Sequence, residues 1–196
     1  MQLNTARQAW HDCTYGSWGA QSAFAAQLTQ LGTRIQTTTG QRHAARAVHQ
    51  ALAGAIQAAI ATLSRPLRAF GNYLYAPHVE AWEQETAQLA VFMLVQQRGK
   101  RMTASKREKL EVLVKGVLLR YRYMHQGGQS ANADPLAAPE AFRGWLQAHY
   151  QLSLSAVRWE REWGGYVRLA FDCCEDLDKQ ALAPVAAKMH AMKKSV

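Results

Sequence analysis

The stretch HAARAVHQALAGAIQAAIATL, residues 43–63, decides the fold class. Its residues Ala44, Val48, Leu52, Ile56, Ile60 and Leu63 recur at spacings of three and four, which predicts a long helix with one apolar stripe. Downstream, Ser64, Arg65 and Pro66 read as an N-cap followed by proline in the first turn. They start a short helix through Leu67, Phe70 and Leu74 that ends before Pro77. A third helix is expected over Val79–Gln97, with Glu80, Glu83 and Glu85 at its favourable N-terminal end and Trp82, Leu89, Phe92, Met93 and Val95 as core.

Beyond it, Arg98, Lys100 and Arg101 around a glycine read as a basic loop. A cap near Thr103 or Ser105 then opens a helix from Lys106 to about His125 that buries Leu110, Leu113, Val117, Leu118 and Tyr121. Residues 126–139 carry two glycines, Asn132, Asp134 and two prolines, and are expected to form a loop with one turn near Leu136. The remainder reads as three helices, Pro139–Tyr150, Ser153–Asp172 and Asp176 to about Met192. The chain is 48% hydrophobic and only 19% charged, with much of the apolar content alanine, which favours close helix packing. An all-α protein follows, expected as an N-terminal basic lobe over 1–100 and a C-terminal lobe over 101–196.

Lys and Arg outnumber Asp and Glu by 23 to 14 across the 196 residues, a formal charge of +9 that attracts polyanions. The imbalance is local. Asp12 is the one acid in the first 63 residues, and nine Lys and Arg between Arg98 and Arg122 face only Glu108 and Glu111. Nucleic acid is the leading candidate partner. No apolar run approaches the roughly 20 residues that span a bilayer, and no secretory signal is seen at the N-terminus, so a cytoplasmic bacterial protein is expected. Cys13, Cys173 and Cys174 lack zinc-knuckle spacing, and the acidic cluster Asp172, Glu175, Asp176 and Asp178 straddles an expected helix boundary, where Asp176 would be a cap. No cofactor or metal is expected. Phosphate loops, HExxH pairs and nucleophile elbows are absent, so neither is catalysis.

The segment FRGWLQAHYQLSLSAVRWEREW, residues 142–163, has helix-turn-helix spacing. Leu146, Tyr150, Leu152 and Val157 fall at the positions that pack two helices across a tight turn, and Ser153 stands where the second helix would be capped. Ser155, Arg158 and Arg161 would then face a major groove, with Arg158 the foremost base reader. Arg143 and His149 are candidate phosphate contacts, as are Lys106, Arg107 and Lys109 on the basic helix. Against this stands a plainer reading, in which Trp145, Trp159, Trp163 and Tyr166 are aromatic core and the arginines are merely solvated.

The arrangement from Lys109 to Ala186, with LLRYRYM at 118–124 and LQAHYQLSLSAVRWEREW at 146–163, resembles the late-gene transcription antiterminators of lambdoid phages, the Q type, AlpA-like regulators included. The resemblance implies a sigma-region-four-like reader that binds double-stranded DNA near a promoter. It also implies engagement of paused RNA polymerase with its sigma factor, and terminator read-through, with nascent RNA a further partner. Only Ser155, Arg158 and Arg161 carry over as DNA readers. No CxxC pair is present, which departs from members with a zinc finger. Two other classes remain open, a small terminase-like packaging subunit and a conventional helix-turn-helix regulator.

Overall fold

A computed structural model of the chain describes residues 5–14, 39–125 and 132–194, with the side chains of residues 39–49 outside the description. Among the described residues there are seven α-helices: α1 (Ala6–Thr14), α2 (Thr39–Ala61), α3 (Arg65–Tyr75), α4 (Ala81–Arg98), α5 (Ala104–His125), α6 (Pro139–Tyr150) and α7 (Gly165–Lys194). A π-helical turn, Glu160–Gly164, leads into α7. The protein is an all-α multi-helix bundle, and no described helix is long and apolar enough to cross a membrane.

The local signals place most boundaries. Ser64 precedes α3 with Pro66 in its first turn, and the chain leaves the helix at Ala76, just before Pro77. On α2 the stripe delivers Ile56 and Ile60 to the core; Ala44 and Val48 belong to the side chains not described. At the start of α5 the Thr103 hydroxyl accepts the Lys106 N–H at 3.3 Å. The expected turn lies at Pro135–Leu136, where the Asp134 carboxylate accepts the Leu136 N–H at 2.9 Å; residues 126–131 of that loop fall outside the described part.

Three expectations are corrected. On α4 the buried stripe is Glu83, Ala87, Val91 and Val95, while Leu89 and Met93 are 58% and 57% exposed and Trp82 is also outside. Small side chains face inward because α3, α5 and α7 all pack against this helix. Glu83 is tolerated there because its carboxylate accepts hydrogen bonds from the Asn72 amide at 2.7 Å and the Glu80 N–H at 3.1 Å.

The break expected between Asp172 and Asp176 does not exist, since α7 runs through it unbroken. Two of its acids serve other helices rather than a helix end, and Glu175 pairs within α7 with Lys179 at 3.0 Å. Asp176 pairs with Arg98 at 2.6 Å. Asp178, buried, accepts from Arg7 at 2.6 Å, Tyr75 at 2.5 Å and Tyr121 at 3.1 Å.

The third correction concerns residues 151–158. After α6 the chain turns through Gln151, at φ 53° in the left-handed region, with the Leu152 N–H bonded to Leu146 O at 3.3 Å, a Schellman ending. Ser153 caps nothing, because the chain stays non-helical until Trp159. Val157 is 97% exposed and Tyr150 is exposed too. The segment is anchored instead by buried Leu154, Trp159 and Trp163. Trp159 meets Phe142 edge-on with centroids 6.1 Å apart, which delays the second helix by about six residues relative to Ser153.

Candidate functional site

The basic helix and the start of α7 meet at one end of the bundle. Gly99 ends α4, and a β-carbon there would meet the Tyr166 ring at 3.3 Å, so the basic loop runs directly beside α7. Lys106 then extends its ammonium over two rings, 5.3 Å from the Trp163 centroid and 4.9 Å from that of Tyr166. This cation–π contact brings the N-terminus of α5 to the π turn that carries Arg161.

Electrostatically this end is unbalanced. The first turn of α5 holds no acid, so its helix dipole adds to Lys106 and Arg107 rather than offsetting them. Among the described residues no carboxylate pairs with Lys100, Arg101, Arg107 or Lys109, all of which are exposed. Arg158 and Arg161, 63% and 76% exposed, both lie 3.8 Å from Glu162, so two guanidiniums share one carboxylate. An exposed pair in that geometry holds its partners weakly, by about 0.2–1 kcal/mol, and both arginines can swing to another anion. Ser155 is exposed in the linker just before them.

The two other expected phosphate contacts are carried by α6. Arg143 is largely covered, with its guanidinium 5.5 Å from the Trp159 centroid and 3.6 Å from Glu140, and it serves to hold the linker against α6. His149 stacks on Trp145 at 4.7 Å with its Nδ1 3.0 Å from Trp145 O, on the last turn of α6. The structure therefore brings Lys106 to the turn that carries Arg161, links Arg161 to Arg158 through Glu162, and keeps Arg107 and Lys109 on the same helix as Lys106, while Arg143 lies on Trp159, next to Arg158, and His149 on Trp145.

Arg120 also departs from expectation. One of the nine Lys and Arg between Arg98 and Arg122, it is buried rather than solvated, bonded through Nε and Nη2 to Asp134 and set between the rings of Phe142 and Phe171. Its spacing from Phe142 in sequence gives no hint of this. The one signal available was Asp134, the lone acid in the 126–139 loop.

Nothing else offers reactive chemistry among the described residues. Cys13, Cys173 and Cys174 are buried free thiols, and burial pushes the Cys13 thiol up to about 12. No group of three His, Cys, Asp or Glu is placed to hold a metal ion. No family model, curated protein or solved structure matches this chain.

Proposed function

We propose that this chain is a DNA-binding transcription antitermination factor, which binds duplex DNA near a promoter, engages the RNA polymerase paused there and allows read-through of terminators. The observation that carries the nucleic-acid part is the unbalanced basic end, where exposed Arg158 and Arg161 share one carboxylate beside Lys106 and the acid-free start of α5. The polymerase part rests on the resemblance of residues 109–186 to the Q-type antiterminators. In this reading α6 and the helical segment from Trp159 are a helix-turn-helix-like unit with a lengthened linker. Arg158 and Arg161 read bases, while Lys106, Arg107 and Lys109 hold phosphates.

The deciding experiment is transcription through a terminator by purified polymerase, on templates with and without the upstream promoter region native to the protein. Read-through that needs that region supports the proposal. On the matching duplex, Arg158→Ala is expected to cost about 1–3 kcal/mol of discrimination, and Lys109→Ala to weaken all duplexes alike. Equal loss on specific and random DNA for Arg158→Ala would remove it as a base reader. DNA binding without read-through favours the second reading, a packaging subunit or conventional regulator that self-associates. The exposed Leu89 and Met93 of α4 are the observation that favours it.

A further inference from the structure

A cavity of about 430 Å³ opens between the C-terminal half of α5, α6 and the Pro135–Leu136 turn. That volume lies within the range of sites that take small ligands or single groups, about 300–1,000 Å³. Its wall joins two features.

The first is aromatic and apolar surface left facing water. Leu119 and Tyr123 line the cavity one turn apart on α5 and are both exposed, and Trp145 faces it from α6. The second is guanidinium charge. Arg120 is committed to Asp134, but among the described residues no carboxylate pairs with Arg122. Its guanidinium lies over the Tyr73 ring at 4.8 Å and hydrogen-bonds the Tyr73 side chain, and its Nε is buried without a hydrogen-bond partner. A cation with no matching carboxylate beside the exposed Tyr123 ring and the half-buried Trp145 fits a ligand that joins a flat ring to a negative group.

We propose that this cavity takes an unstacked base of a single-stranded nucleic acid, with the adjoining phosphate held at Arg122. Bases in a duplex are already stacked and cannot reach it, whereas single-strand bases splay onto aromatic side chains and guanidinium planes. The formal charge of +9 favours a polyanionic strand over a neutral ligand. The proposal rests on the reading that the chain binds nucleic acid, but it uses none of the residues of the basic end. Lys106 and Arg122 are about 24 Å apart along α5.

The test is fluorescence anisotropy of the full chain with labelled RNA and DNA single strands about twelve nucleotides long, each made intact and as an abasic strand of equal charge. Intact strands should bind more tightly than abasic ones. Tyr123→Ala and Trp145→Ala should each weaken the intact strand about 5- to 150-fold and leave the abasic strand unchanged. Tyr123→Phe should restore binding, and Arg122→Gln should weaken both strands. Because Trp145 also packs on Gly116, the exposed Tyr123 carries the decision if Trp145→Ala disturbs the fold. Equal binding of intact and abasic strands overturns the proposal, as does equal loss on both for Tyr123→Ala. Failure of the strands to bind while an acidic, tryptophan-containing peptide does bind would also overturn it, assigning the cavity to a protein. Arg158→Ala, by contrast, should change duplex binding without changing the intact-to-abasic ratio, so failure at one site is not mistaken for failure at the other.

Discussion

His125 shows how a single residue ties stability to pH. At the end of α5 its ring lies 4.4 Å from that of Tyr121, and its Nδ1 is buried with no hydrogen-bond partner. Burial and the nearby Arg7 hold its pKa below the ordinary 6.5, and the opposing pull of Asp178 and Glu175 does not reverse that. The unfolded chain therefore takes up a proton near 6.5 that the folded chain accepts only at lower pH. The His125 contribution to stability is complete above about 6.5 and declines as the pH falls through the folded value. Urea unfolding at pH 7.5 and pH 5.5 should show a fall for the natural chain that His125→Phe, which keeps a ring against Tyr121 and loses the unpaired nitrogen, reduces. Equal falls in both proteins would place the acid sensitivity on another of the seven histidines.

Among the elements, those written into local signals were legible and those held by distant partners were not. The ends of α3 follow from Ser64, Pro66 and Pro77, and α6 begins at Pro139 and ends at Tyr150 as its composition suggests. The linker after α6 was misjudged because nothing local distinguishes Val157, which is exposed, from Leu154, which is anchored. The basic end was partly legible, since Lys106, Arg158 and Arg161 were singled out, but their meeting depends on the Trp163 and Tyr166 rings. Helix α1 escaped notice altogether, for nine residues carry too little propensity to fold alone. It exists by docking: Trp10 is fully buried, its indole N–H donates to Asn72 at 3.1 Å, and its ring lies so close to Gly71 that a β-carbon there would come within 2.2 Å. Gly71→Ala should therefore destabilise by about 1–3 kcal/mol through displaced packing. Gly54→Ala, in open space on α2, should stabilise by about 0.5–1 kcal/mol. Urea midpoints check both, and a neutral Gly71→Ala would show that α1 is not seated on α3 as described.

For the whole molecule, the question is whether the segments before and after residue 100 fold separately. Helix α7, about 45 Å long, packs against α1, α2, α3, α4 and α5, and so against helices from both segments. One buried carboxylate joins them as well. Asp178 in the C-terminal segment accepts from Arg7 and Tyr75 in the N-terminal one and from Tyr121 in its own. Removing the N-terminal segment leaves that charge short of donors, and breaking a buried pair costs about 3–5 kcal/mol, a large part of a domain's stability of about 5–15 kcal/mol. Apolar burial leads to the same expectation, since Ala170, Cys173, Cys174, Leu177, Ala181 and Val185 of α7 belong to one continuous core with Ile56, Phe70, Leu74, Val91 and Leu113. The chain should accordingly unfold in a single transition, with far-ultraviolet circular dichroism and tryptophan fluorescence tracing the same curve in urea. A fragment of residues 101–196 should expose that core face and fail to give a cooperative transition of its own. Two separated transitions, or a fragment that unfolds cooperatively, would mean that the Asp178 cluster and the shared core contribute little coupling, and that the basic end can move as a unit of its own relative to α1–α4.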